Sequence, residues 1–306
     1  MTTIPGGAAT TQAIRPQTAL SEPGIAPVGD RSSGWRRRVA YVVLIGYALL
    51  MFLPFTWTVI TSFKTQADSV RLTFIPNPVS LRGWENAFTE LDPAIPVLFA
   101  NSLGIAIAVT ISNLVLGSMA GYAFARLRFP GREFLFLLVL ATMMIPDPLR
   151  LVPVYQILRS VGLLGGNLQY VGVVVVLAVA APSIFLLRQY FMSIPVALEE
   201  AAKLDGAGFF TTFWRIMLPL ATPALAAVAI LQFQGSWNGF FWPLIILTER
   251  NNATLPIGLV LFQEQYSTRW PELMAVVVIA TLPILALYLF FQRYFVEGIA
   301  AAGVKG

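Results

Sequence analysis

The sequence predicts an all-α membrane protein with about six transmembrane helices, and three observations carry that prediction. Hydrophobic residues make up 57% of the chain and charged residues 11%, against roughly 25% charged in ordinary soluble domains. The mean hydropathy is +0.73. Apolar runs recur near residues 39–62, 98–125, 133–156, 168–190, 218–247 and 272–293, each long enough to supply the about 20 helical residues that cross a hydrocarbon core.

The elements follow in chain order. Residues 1–34 are rich in Thr, Ala, Pro and Gly and have no apolar periodicity, so they are expected to be a disordered cytoplasmic tail. Residues 35–62 form the first span. Trp35 and the triplet Arg36, Arg37 and Arg38 precede an apolar run from Val39 to about Ile60. A signal-peptide core is only about 7–15 residues long, so this run is expected to be a retained helix. Residues 63–97 read as an extracytoplasmic loop, and residues 98–306 as the membrane core with a polar loop at 193–219. Pro146, Asp147, Pro148 and Arg150 interrupt the third run, whose end is therefore expected to be bent or re-entrant.

Basic residues at the span ends set the orientation. Arg36 to Arg38, Arg126, Arg128, Arg132, Arg188, Lys203, Arg215, Arg293 and Lys305 fall on one side, close to the membrane. Lys64, Arg71, Arg82, Arg150, Arg159, Arg250 and Arg269 are spread over longer loops on the other. Both termini and the loop at 193–219 are thus expected to face the cytoplasm of a plasma membrane.

Composition also excludes function classes. The net charge is +5, but the basic residues form no stripe or block that would suit a nucleic acid. The chain has no Cys and no His, which removes disulfides, thiolate and imidazole metal sites and a Ser-His-Asp triad. No catalytic residues, no metal site and no cofactor bound by this chain are expected. Apart from Asp147, no charged residue lies well inside a span. That argues against an ion-coupled carrier, a voltage sensor or a charge-ringed channel, although backbone carbonyls can also hold sodium. There is no G-x-x-x-x-G-K-[ST] loop. Gly206-Ala207-Gly208 lacks the third glycine of a dinucleotide fingerprint and reads as a helix end.

The most informative polar element is Glu200-Ala201-Ala202-Lys203-Leu204-Asp205-Gly206. Pro195 suits the first turn of a helix, Glu199 and Glu200 sit near its positive end, and Gly206 permits a left-handed stop. The helix is too short and polar to span a bilayer, and Phe209, Phe210, Phe213 and Trp214 follow it. On physics alone, an ordinary interfacial helix is an equal reading.

The pattern E-A-A, G, I-x-L-P, met by Glu200, Ala201, Ala202, Gly206, Ile216, Leu218 and Pro219, resembles the signature of permease subunits of bacterial ATP-binding-cassette importers. From about Trp35 to Gly306 the chain is similar to the second permease subunit of maltose-type carbohydrate importers. Thr61 to Thr65, Gly121 to Arg126 with Phe129-Pro130-Gly131, Trp237-Asn238 with Trp242-Pro243, and Val304-Lys305-Gly306 carry that likeness. The leading tail departs from it. The resemblance implies a type I importer permease fold and a set of partners: a second, non-identical permease, two ATPase subunits holding ATP and Mg, and an extracytoplasmic binding protein that delivers sugar. It implies that Glu200 makes a polar contact with the ATPase, that Ala201 and Ala202 pack closely, and that Gly206 turns the chain. Asp205 either contacts the partner or caps locally.

The fifth run brings Gln232, Gln234, Ser236 and Asn238 to membrane depth beside Trp237 and Trp242. Amides satisfy sugar hydroxyls and an indole covers a pyranose face, so Gln232, Gln234, Ser236, Trp237 and Asn238 are candidate path residues. Gly235 and Gly239 equally suit helix packing. In the second run, Asn101, Ser102, Thr110, Ser112 and Asn113 read as interhelical hydrogen-bonding residues. Two function classes follow: a non-catalytic permease subunit of an ATP-driven sugar importer, and a self-sufficient carrier or channel for a neutral solute. Co-purification with an ATPase pair discriminates between them.

Overall fold

The computed structural model describes residues 34–260, 262 and 268–303, with side chains described as far as Gln292. The expectations for the tail, for Arg293 and for Lys305 fall outside those residues and side chains. Compactness divides the chain into a unit ending at Phe52 and a second from Leu53 to Gly306. In the first unit, the described residues are the start of α1 (Gly34–Ser62), whose apolar side chains from Val39 to Phe52 are exposed.

In the second unit the elements are α2 (Gln66–Ser69), α3 (Arg82–Thr89), α4 (Ile95–Arg126), α5 (Arg132–Ala141), α6 (Asp147–Ser160), α7 (Leu168–Leu177), α8 (Ala181–Ser193) and α9 (Ala197–Leu204), followed by α10 (Phe209–Thr212), α11 (Leu218–Leu220), α12 (Thr222–Trp237), α13 (Phe241–Ile246), α14 (Leu255–Val260) and α15 (Trp270–Gly303). No strand occurs among the described residues. Three helices, at 34–62, 95–126 and 270–292, are long and apolar enough to cross a membrane, and up to six spans result if each bent helix pair counts as one.

Those bends refine three of the expected spans. The third run turns by 107° between Met144 and Asp147, where Pro146 cannot donate the helical hydrogen bond. The fourth bends by 48° between Leu177 and Ala181; Pro182 opens the new helix. The fifth run is not one helix from 218 to 247. It breaks after Trp237, at Asn238 to Phe240, before α13 resumes, and α12 meets the preceding 209–220 segment at 76°. Proline at 219, 223 and 243 and glycine at 239 account for these interruptions.

Helix α4 is the axis of the unit and packs along both α8 and α12. Close approach to α8 depends on glycine: a Cβ on Gly121 would sit 2.9 Å from Leu187 Cβ and 3.0 Å from the Arg188 nitrogen. Buried side chains gather around α4 in three groups. Leu98, Trp237 and Leu255 mark one, Tyr122, Phe191 and Met217 a second, and Val109, Val173 and Trp242 a third. Lipid tails are as apolar as these side chains, so packing and interhelical hydrogen bonds, more than water exclusion, hold such a bundle.

The polar residues of α4 divide accordingly. Asn101 donates to the carbonyls of Asn251 and Ala253, at 2.8 and 2.9 Å. Ser102 Oγ accepts from the Leu255 amide at 2.7 Å. Asn113 donates to Leu177 O at 2.8 Å and accepts from the Ala180 amide at 2.8 Å and Ser183 Oγ at 3.2 Å. These three join α4 to other elements. Thr110 and Ser112 instead bond carbonyls of their own helix, those of Ala106 and Val109.

Candidate functional site

Two regions of the second unit carry the residues singled out by sequence. The first is α9. Its helix starts at Ala197 with Val196 as N-cap, so Pro195 lies just before the first turn, its carbonyl accepting from Leu198 N at 3.3 Å. The helix ends in a Schellman arrangement: Gly206 N bonds Lys203 O at 3.0 Å and Ala207 N bonds Ala202 O at 2.9 Å. Gly206 has φ 81°, the left-handed conformation that only glycine adopts without cost. Asp205 is the C-cap through its backbone, and its side chain is exposed.

The helix is two-faced. Glu199 and Ala202, three residues apart, are buried, while Glu200, Ala201, Lys203 and Leu204 are exposed. Leu204 is 90% exposed. Within the motif, Ala202 therefore packs inward, whereas Glu200 and Ala201 remain on the free face. After Gly208, Phe209 and Phe213 turn back onto Tyr122 of α4, with ring centroids 5.5 and 5.1 Å away. Phe210 and Trp214 stay exposed. Ile216 lies in a π-helical turn, Phe213–Met217; the Leu218 amide reaches back to Phe213 O, while Pro219 has no amide to donate. Ile216 and Leu218 are half-buried and Pro219 is exposed.

Two ion pairs knit this end of the bundle. Arg126 Nε of α4 lies 3.0 Å from Glu199 Oε1, with side chains only 9% and 10% exposed. The atoms are close but not aligned as a hydrogen bond, so charge attraction carries the contact. Arg126 also donates to Ile194 O, in the turn before α9. Arg188 of α8 contacts Glu133 of α5 at 3.2 Å, donates to Phe124 O at 3.3 Å and lies 4.1 Å over the Phe136 ring. In the sequence, Arg126 and Arg188 stand out as orientation markers, Arg126 also as the end of a stretch carrying the family likeness, and Glu199 as a charge at a helix start. The i, i+3 spacing of Glu199 and Ala202 was the available signal for an inward face.

The second region is a cavity of about 540 Å³ where two helix breaks converge. Thr142, Pro146, Asp147 and Arg150 line it from the 107° bend, Leu177 and Ala180 from the 48° bend, and Gln232, Gly235 and Ser236 from α12. Gln232 and Ser236, one turn apart, share a face. Ser236 Oγ is buried without a hydrogen-bond partner, and nothing lies within 4 Å of a Cβ built on Gly235. Asp147 and Arg150 form an ion pair at the bend. The other sequence candidates lie elsewhere. Gln234 and Asn238 are exposed and absent from the cavity wall. Trp237 is buried, stacked on Phe233 at 6.0 Å and edge-on to Phe99 at 5.2 Å, and its indole donates to Ala280 O at 2.9 Å. Asp147, Arg150 and Thr142 were not singled out as cavity residues because nothing local in the sequence reveals where a bend points. Among the described residues, no group of three or more acidic side chains is placed to hold a metal.

Residues 113–300 match the family described as binding-protein-dependent transport system inner membrane component. The arabinooligosaccharides transport system permease protein AraQ of Halalkalibacterium halodurans is 37% identical over 88% of this chain and 97% of its own. The sn-glycerol-3-phosphate transport system permease protein UgpE of Yersinia enterocolitica is 31% identical over 84% and 93%. The diacetylchitobiose uptake system permease protein NgcG of Streptomyces coelicolor is 33% identical over 83% and 84%. Among solved structures, a chain of a bacterial ABC transporter involved in the import of the acidic polysaccharide alginate shares the fold, with TM-score 0.75 and 24% identity over 88% of this chain and 100% of that one. A chain from the alginate transporter in complex with an alginate-pentasaccharide-bound periplasmic protein matches with TM-score 0.61 and 15% identity over 85% and 94%. With the family match covering more than half its length, and with helices long and apolar enough to span a membrane, the chain belongs to the family of inner-membrane permease components of binding-protein-dependent ABC transporters.

Proposed function

We propose that this chain is a permease subunit of an ATP-driven sugar importer, with its termini in the cytoplasm, forming half of a translocation path completed by a second, non-identical permease. Two ATPase subunits bind ATP and Mg and dock on α9, and an extracytoplasmic binding protein delivers the sugar. The observation that carries the reading is the divided face of α9: Glu199 and Ala202 hold it to the chain, while Glu200, Ala201 and the 90% exposed Leu204 remain free. An exposed aliphatic side chain beside a carboxylate suits a protein groove with a basic residue at its edge.

The chemistry of α9 gives each residue a role. Glu200 makes the polar contact, Ala201 and Ala202 allow close backbone approach, and Gly206 with Asp205 stops the helix so that it fits as a short plug. Ile216, Leu218 and Pro219 set the angle at which the chain returns to α12. Closure of the ATPase pair then displaces α9, and the displacement tilts the bundle between inward-facing and outward-facing states. This chain supplies motion, not chemistry.

Sugar as the cargo is supported by two of the relatives, named for arabinooligosaccharides and diacetylchitobiose, and by the cavity lining, while the relative named for sn-glycerol-3-phosphate keeps a polyol phosphate as the alternative. Gln232, Ser236 and Thr142 offer amide and hydroxyl groups, and the Asp147–Arg150 pair adds donors and acceptors without net charge, a set that matches the hydroxyls of a neutral sugar. Trp237 acts behind the wall, holding α12 against α15.

The test is reconstitution in vesicles with the cognate ATPase, second permease and binding protein. ATP-dependent uptake that requires all four components is expected. Uphill transport by this chain alone would instead establish the self-sufficient carrier.

A further inference from the structure

Helix α9 is not among the elements that pack extensively on another helix. Its two ends are a turn at Ile194 to Val196 and the glycine-terminated stop at Gly206. A lever joined to its load only by such turns would swing without moving the bundle. What ties it down is at its first turn, where Glu199 meets Arg126, the last residue of α4. The same guanidinium donates to Ile194 O, so one side chain grips both α9 and the turn that leads into it. The pair is buried in the chain alone, with side chains 9% and 10% exposed, where water screens little of the attraction.

From Arg126 back toward Ile95, α4 runs without a break. About one and a half turns back along it, Gly121 fits against α8. Further on, Asn113 bonds both sides of the 48° bend, at Leu177 O and at the Ala180 amide, and those two residues line the 540 Å³ cavity. At the far end, Asn101 and Ser102 hold the 251–255 segment.

We infer that Arg126 and Glu199 are positioning residues that make α4 the member receiving the displacement of α9, so that motion imposed on α9 reaches the bend at the cavity through one continuous rod. This rests on the reading of α9 as the ATPase-docking helix. The pair does not touch ATP, sugar or, by this assignment, the ATPase; it fixes α9 to its load.

Spatial continuity alone does not establish energetic coupling, so the test is a double-mutant cycle in the complete reconstituted importer. E199Q, R126Q and the double variant E199Q/R126Q are compared for assembly with the ATPase, for stimulation of ATP hydrolysis by sugar-loaded binding protein, and for sugar moved per ATP consumed. In the single variants we expect assembled complexes whose hydrolysis no longer depends on the binding protein, with sugar moved per ATP reduced about tenfold, a common size for site-to-site coupling. In the double variant the loss should be no greater than in the worse single, because the two groups act as a unit. Should the singles fail to assemble through a stranded buried charge, the double variant, which strands none, decides: assembly with uncoupled hydrolysis supports the inference. Wild-type coupling in the variants, losses that add in the cycle, or uptake that falls only in step with the amount of assembled complex would each overturn it. A wild-type chain that binds no ATPase would instead overturn the docking assignment.

Discussion

Replacing Asn113 by leucine tests the fold at its most heavily bonded polar point. The two side chains share a branched skeleton of four heavy atoms, so the change removes the hydrogen bonds while keeping the branching, and the bulk of two methyl groups at this buried site adds to the cost. Three bonds to other elements are lost: those to Leu177 O, from the Ala180 amide and from Ser183 Oγ. Interhelical bonds in membranes average about 0.6 kcal/mol and reach about 1.7, while a buried backbone group left without a partner costs about 1–3 kcal/mol. The Leu177 carbonyl and the Ala180 amide flank the 48° bend, so no next turn of helix is there to take them up. The expected cost is therefore about 2–4 kcal/mol. For a chain of this size that is a fall of about 5–10 °C in the midpoint of thermal unfolding, read from loss of monodispersity in detergent on heating. Ser112, the neighbour whose hydroxyl bonds only Val109 O of its own helix, supplies the control: S112A is expected to stay within about 0.5 kcal/mol. If N113L melts within about 1 °C of wild type, as S112A should, the capping argument fails.

Three other outcomes follow from the geometry. G121V drives a branched side chain into Leu187 Cβ and the Arg188 backbone and should cost at least about 1–3 kcal/mol, seen as lower yield of the folded chain; normal yield would mean that α4 and α8 separate freely. At Gly206, φ 81° makes G206V cost about 1–2 kcal/mol and fray the end of α9, so uptake and ATPase pull-down should fall together. G206N should retain most of both, since asparagine tolerates that conformation, and equal loss in the two variants would remove the backbone explanation. Q232A and S236A should raise the sugar concentration for half-maximal uptake by about threefold to thirtyfold, the value of one or two hydrogen bonds, without changing complex yield, whereas Q234A, which lies off the cavity wall, should leave it unchanged.

Much of the fold was legible in the sequence because membrane spans are written in composition. The runs at 39–62, 98–125 and 272–293 correspond to α1, α4 and α15, and Pro146 with Asp147 announced the bend of the third. The stop at Gly206 was equally readable, since a glycine after a short charged helix has a single usual conformation. What the sequence withheld was lateral information. Gln232, Gln234, Ser236 and Asn238 are alike in chemistry, and only the helical phase relative to the bends separates the pair on the cavity from the pair off it. Trp237 reads in the sequence as a sugar-stacking residue, whereas the fold buries it with its indole N–H donating to Ala280 O. Glu199 and Glu200 are neighbours of identical chemistry, yet one is buried against Arg126 and the other is free. Their difference is set by α4, which lies 73 residues earlier in the chain at Arg126.

The two breaks that meet at the cavity have a consequence for how it is filled. A helix interrupted inside a bilayer leaves amides and carbonyls that lipid cannot satisfy, and they persist only where protein or water meets them. Asn113 serves some at the second break, while Pro146 deletes one donor at the first. On the proposed reading, backbone groups left over at the breaks call for water in the cavity when no cargo is present. On the same proposed reading, a sugar entering it would exchange one set of hydroxyl partners for another, so binding would release little net free energy and the occupant would be held loosely enough to leave.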